Sequence, residues 1–419
     1  MAPDGRPADR VRGRTAQERQ RVMCKARRII IIVTALPRWI SDFNQVSTAL
    51  VEAGYAVEVW SPTDNGLASA GWDSKPAIDA ARDALAPGIA TRTMPFSRNR
   101  GRPSLLRLAR ASLMAARAAL FSPGSVFILW SALSIVLAGP WIRLTNRHAI
   151  HLVTGLGASF SVSQRGSLTT RLICIGYRFV FASRRAIVIV HNHEDKAELI
   201  KRTGVAADRV IVTGGCGVMP EDFPYKEARA VGARPTILVP GRLLRDKGVL
   251  DAAAASGILS ERGVAHRMVF TSNPMSGRVD ALTEAELAQA RSYPDVAFIG
   301  YQPSITALYA GADIACIPSW YREGLQTALL ESASSGCPIV ACDNVGVRDF
   351  LRPEIDGLVV PPQAPAPLAD ALERVIRDPA LAERLRTAAY TRFLSGFTRQ
   401  HMVETMLAAM RGTGIETPR

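Results

Sequence analysis

Cysteine is scarce and unpaired in this sequence. The six residues (Cys24, Cys174, Cys216, Cys316, Cys337 and Cys342) show no CxxC spacing in a chain of 419. That pattern excludes the disulfide framework of a small secreted protein and predicts reduced, mostly core thiols in the cytosol. Histidine is also sparse. His191 and His193 are close together but lack Cys or Asp partners at suitable spacing, so no metal is expected. Long apolar runs are missing too. The stretch Val126–Ile142 is uncharged over 17 residues, the lower edge of a spanning length. Ser131, Ser134 and Gly139-Pro140 interrupt it, which reads as a buried strand followed by a buried helix. The run Ile29–Leu36 is too short for a signal peptide and has no small-residue cleavage site. Acidic residues are in deficit, 37 Asp and Glu against 51 Lys and Arg, for a net charge of +14. No zinc finger, basic zipper or RNA-binding aromatic motif accompanies that charge, so nucleic acid is the least supported partner. An anionic substrate or lipid surface fits better.

The length predicts two domains, and 48% apolar with 21% charged residues predicts folded ones. Residues 1–28 carry nine Lys/Arg and three Asp/Glu, so a basic arm is expected at 1–22, with Met1 and Met23 both eligible as starts. From there short apolar runs alternate with helical patterns. RIIIIVTA (28–35), AVEVWS (56–61), SVFILW (125–130), AIHLVTG (149–155), AIVIVHN (186–192) and RVIVTGG (209–215) form one series of strands. TILVPGR (236–242), HRMVFTS (266–272), VAFIGYQ (296–302), DIACIPS (313–319), PIVACDN (338–344) and GLVVPP (357–362) form a second. Near-continuous apolar strands joined by helices imply parallel sheets covered on both faces. The expected fold is α/β: two doubly wound, Rossmann-like domains facing across a cleft, with ligands at the carboxyl ends of the strands. The expected boundaries are 23–222 for the first domain, 235–397 for the second, and 398–411 for a helix that packs back on the first.

Two motifs carry chemistry. GRLLRDKG (241–248) directly follows a strand. Gly241 lets backbone approach a ligand, and Arg242 and Lys247 place a planar fork and a point charge where a diphosphate would lie. Two cations beside a helix start repel each other unless an anion joins them. The second motif, PSWYREGLQTALLESASSGCPIVACDN (318–344), lies about 80 residues further on, again after a strand. Glu323 falls on the loop. Gly324 and Leu325 would offer backbone N–H groups at the start of a helix expected over 325–336. Glu331, eight residues after Glu323, tilts back towards that start, so one carboxylate reaches a sugar hydroxyl and the other a ribose. Gly155 and Gly157 in TGLGASF stand at a strand end and predict close backbone approach to donor or acceptor.

Together these segments resemble the donor domain of glycosyltransferase family 4, over about 235–362. HLVTGLGASF (151–160), HNHEDKAEL (191–199) and TGGCGVMPEDF (213–223) look like the amino-terminal half of a subgroup that builds O-antigen, capsule and exopolysaccharide. The resemblance implies a GT-B fold and a retaining transfer with no metal or cofactor. A hexose or N-acetylhexosamine would move from a nucleotide diphosphate sugar, UDP-linked foremost, to an acceptor on lipid-linked diphosphate. It also implies roles: Arg242 and Lys247 hold the diphosphate, Glu323 contacts the donor sugar and Glu331 the ribose.

Two segments depart from that pattern. TALPRWISDFNQ (34–45) stands where many relatives have a Gly-Gly turn, and WSALS (130–134) where many have a histidine. His151 and His191 are the nearby alternatives, against their reading as core histidines. In SLLRLARASLMAARAALF (104–121), Arg107, Arg110 and Arg117 share one helix face, as expected of a protein resting on anionic lipid at the cytoplasmic side. The competing readings are an epimerase or phosphorylase on the same fold, and a non-catalytic sugar-nucleotide-binding scaffold.

Overall fold

A computed structural model describes residues 27–62, 80–95, 105–156, 168–226, 234–274, 280–302 and 304–412. The expected basic arm at 1–22 and Gly157 lie outside the described residues. The first sheet contains β1 (Arg28–Ile32), β2 (Ala56–Pro62), β3 (Ala90–Met94), β4 (Val126–Trp130), β5 (His148–Val153), β6 (Ala186–Val190) and β7 (Val210–Val212). Their order is β3-β2-β1-β4-β5-β6-β7, and every pairing is parallel. Its helices are α1 (Leu36–Glu52), α2 (Leu105–Phe121), α3 (Ala132–Leu144), α4 (Leu168–Phe181) and α5 (His193–Thr203).

The second sheet contains β8 (Thr236–Val239), β9 (Arg267–Phe270), β10 (Val296–Phe298), β11 (Ile314–Ile317), β12 (Ile339–Cys342) and β13 (Leu358–Val360). It is also parallel, in the order β10-β9-β8-β11-β12-β13. Its helices are α6 (Val249–Glu261), α7 (Glu284–Arg291), α8 (Ile305–Gly311), α9 (Thr327–Ser334), α10 (Val345–Phe350), α11 (Pro365–Arg377) and α12 (Pro379–Gly396). A last helix, α13 (Arg399–Gly412), follows.

The alternation of β1 shows why both faces are covered. Ile29 and Ile31 face a core that includes Trp39 and Phe43 of α1, while Ile30 and Ile32 face Ala111 and Ala115 of α2. All four isoleucines are buried, each stabilising by about 1.5–3 kcal/mol. Met402, Met406 and Met410 of α13 enter the α1 side of that core. The backbone of Arg399 donates to Val218 O as the chain returns from the second sheet to the first.

The tempting run at 126–142 is indeed a strand, β4, and then a helix, α3. Among the described residues no helix is long and apolar enough to cross a membrane. One strand escaped the sequence: β3 reads ATRTM, and four of its five residues are exposed on the sheet edge. Without two apolar flanks it leaves no hydrophobic run to detect.

Candidate active site in the cleft between the sheets

The site forms where the loops after β8 and β11 meet. Gly241 has φ 126°, with nothing within 4 Å of a Cβ built there, and Arg242 beside it is exposed. A short turn, Arg245–Lys247, then leads into α6. Asp246 O accepts from the backbone of Trp320 and Tyr321, both at 3.1 Å, tying this turn to the loop that carries Glu323. Gly248 permits the approach. Its φ is 72°, and a Cβ would sit 2.1 Å from Pro318 O, so only glycine fits. The result is a short ion pair, with Lys247 Nζ 2.5 Å from Glu323 Oε1. Arg242 acts on the same cluster, since its charge bears on Asp246.

Glu331 lies on α9 and accepts from Tyr309 Oη at 3.1 Å. Burial raises its carboxyl to about 7, although some surface stays accessible, and the charges of Arg38, Asp42 and Arg399 also bear on it. The expected helix over 325–336 is shorter than expected. Gln326 is its extended N-cap and helical backbone starts at Thr327. Gly324 and Leu325 precede the helix and lie against the first domain. Gly324 O accepts from Asn192 Nδ2 at 2.7 Å, and a Cβ on Gly324 would sit 2.2 Å from Thr154 O. Gly155 abuts the same point, since a Cβ there would come within 3.1 Å of Gly324 N. The structure therefore brings Lys247, Glu323, Gly324 and Gly155 together.

The two histidines separate. His151 is buried in the middle of the first sheet and packs on Phe181, with burial pushing its pKa down to about 3. His191 is buried against Gly324, 3.9 Å from Cys216 Sγ, and burial lowers its pKa to about 4. Both are neutral imidazoles at pH 7, but only His191 belongs to the cleft wall.

Several residues escaped the sequence reading. Arg38, at the start of α1 in the segment that departs from the Gly-Gly pattern, has a side chain 60% exposed. Its Nε donates to Asp42 at 2.6 Å, and its charge bears on Glu323. Arg322 pairs with Asp195 at 2.7 Å, and Asp195 is fully buried. With Asn192 on Gly324, His193 on Asp349 and Arg348 on Glu194, this makes a latch between the domains. Ser131, in the segment 130–134 that departs from the histidine pattern, holds φ 93°, and its buried hydroxyl lacks a partner among the described residues. Non-glycine backbone of that kind costs about 1–3 kcal/mol and gathers at functional sites. Arg38, Asp195 and Ser131 gave no signal because each depends on an approach across many residues or on backbone shape.

Residues 234–378 match the family of group 1 glycosyl transferases. A D-inositol 3-phosphate glycosyltransferase of Nocardia farcinica is 28% identical over 52% of this chain and 51% of its own. An alpha-D-kanosaminyltransferase of Streptomyces kanamyceticus is 32% identical over 38% of this chain and 41% of its own. The matched stretches thus span about half, or less, of these relatives. In three dimensions, sucrose-phosphate synthase of Thermosynechococcus elongatus aligns with a TM-score of 0.73 at 19% identity, covering 92% of this chain and 98% of that one. Anabaena HepE, solved in complex with UDP, aligns with a TM-score of 0.71 at 15% identity, covering 92% and 100%. The group 1 match lies in the second domain, and over the whole chain the likeness is one of fold: the two parallel sheets have the GT-B arrangement of these solved structures.

Proposed function

We propose that this chain moves a hexose or N-acetylhexosamine from a nucleoside diphosphate sugar, UDP-linked foremost, to a lipid-linked saccharide in surface polysaccharide synthesis. The observation that carries the reading is the Lys247–Glu323 pair at 2.5 Å on a turn that also presents Arg242. The two cations neutralise the diphosphate, most strongly as charge builds on the departing phosphate oxygen. Glu323, held by Lys247, accepts from the donor sugar hydroxyls, and Glu331 accepts from the ribose. As the anomeric C–O bond to phosphate breaks, the acceptor oxygen bonds to that carbon on the same face. Its proton passes to the leaving phosphate, so no protein base is required, configuration is retained, and the cations serve in place of a metal. The Asn192–Gly324 and Arg322–Asp195 contacts support a closed cleft that excludes water. Such a protein works at the cytoplasmic face of a membrane.

The test is transfer of label from a radiolabelled UDP-sugar to lipid-extractable product in membranes of the producing cell. Lys247→Ala should cut the rate well over tenfold. Normal transfer by that variant refutes the assignment. Consumption of donor without acceptor favours an epimerase instead.

A further inference from the structure

Between Asp83 and Glu194 the sequence has no acidic residue, yet it contains fourteen arginines and no lysine. This one-signed stretch includes α2, α3 and α4, which pack side by side on the same face of the first sheet. Ser112 of α2 accepts from Trp141 Nε1 of α3 at 2.8 Å, and Gly139 of α3 meets Val180 of α4. Their inner residues, Ala115, Ile135 and Val180 among them, fill the core.

The outer residues are the anomaly. Of the fifteen exposed large apolar side chains among the described residues, twelve lie on these three helices. Leu113 is 68% exposed, Phe121 75% and Ile175 65%. On α2 the outward positions 106, 110, 113, 117 and 120 recur at helical spacing and read Leu, Arg, Leu, Arg, Leu. On α4 the outward positions 168, 172, 175 and 179 are all apolar, flanked by exposed Arg171 and Arg178. Three adjacent helices that interleave exposed leucines with arginines, without a carboxylate of their own, match the two-part chemistry of an anionic bilayer surface. The guanidinium groups meet lipid phosphates while the leucines, Phe121 and Trp141 enter the acyl boundary.

We propose that the α2–α3–α4 face is a docking surface for anionic membranes. It deepens the lipid-linked acceptor reading by naming the face turned to the bilayer, but it stands or falls separately from transfer. A dimer of this chain is disfavoured as the occupant because two copies would bring the same arginines together.

The test is co-sedimentation of the full chain with vesicles of phosphatidylcholine alone or with 30% phosphatidylglycerol, a mole fraction chosen to bracket roughly physiological charge. The comparison is between wild type, Arg110→Glu/Arg117→Glu and Leu113→Asp/Leu120→Asp. Expected are binding only to the anionic vesicles, weakening with salt, and a loss of more than roughly tenfold in each double variant, at about fivefold per basic residue. Unchanged binding in both variants places the interaction on the basic arm and overturns the proposal. So does a lipid-free dimer, seen by light scattering, that either double variant dissociates. Thermal unfolding and UDP binding by each variant, expected to match wild type, separate loss of docking from loss of fold or of the donor site.

Discussion

Glu331 provides a quantitative check on the buried side of the cleft. Burial raises its carboxyl from the ordinary 4.5 to about 7, with Tyr309 and the Arg38 and Arg399 charges opposing the shift. The folded carboxyl therefore keeps a proton that the unfolded chain has already lost between pH 4.5 and 7. Its stabilising contribution is full below pH 4.5 and disappears as pH rises through 7. At 1.36 kcal/mol per pH unit this amounts to about 2–3 kcal/mol between pH 5 and pH 8. Glu331→Gln cannot titrate. Its stability relative to wild type should thus improve by that amount over the same interval, measured by urea unfolding of both proteins at the two pH values. Donor binding should respond in the opposite sense, because the ionised carboxylate is the better acceptor for two ribose hydroxyls. Affinity for UDP-sugar should rise through pH 7 in wild type and stay flat in the Gln variant. Parallel stability curves for the two proteins would refute the environment assigned to Glu331.

Three further outcomes follow from single contacts. Gly248→Ala puts a methyl against Pro318 O and a side chain at φ 72°, so it should destabilise by at least about 1–3 kcal/mol in denaturant and separate Lys247 from Glu323, with donor affinity lost in parallel. Ser131→Gly should do the reverse for stability, a gain of about 1 kcal/mol in the same assay from relief of backbone strain, while lowering turnover if the hydroxyl serves the sugar. Arg322→Met leaves the buried Asp195 carboxylate without its cation, though still hydrogen-bonded to Asn192 and Leu156 N, at a cost of roughly 3 kcal/mol by urea unfolding, and adding Asp195→Asn should recover much of it.

How far the sequence could be read depended on the range of each interaction. Strands such as RIIIIVTA and TILVPGR were visible because a parallel strand buried on both faces must be apolar at every position. β3 was not, because an edge strand has no such requirement. Lys247 and Glu323 were assignable to one site only through the family pattern, since 76 residues separate them and their approach depends on Gly248 and on the bonds of Trp320 and Tyr321 to Asp246 O. Helical backbone after Glu323 begins at Thr327 rather than Leu325, with Gln326 as an extended N-cap, and the Gly324 carbonyl before it accepts from Asn192 of the other domain, a contact no local pattern announces. Arg38 was hidden for a related reason: it stands in a departure from the pattern, and only the packed cleft shows that it faces the glutamates.

The central claim is that one nucleoside diphosphate lies across the Arg242–Lys247 turn, within reach of Glu323 and Glu331. Calorimetric titration of UDP, GDP and dTDP into wild type, Arg242→Ala and Lys247→Ala tests it directly. The account predicts saturable binding of one of these nucleotides, weakened at least roughly tenfold by either substitution, with the parent nucleoside almost unaffected. Wild-type affinity in both variants, or no binding of any nucleoside diphosphate, would contradict it.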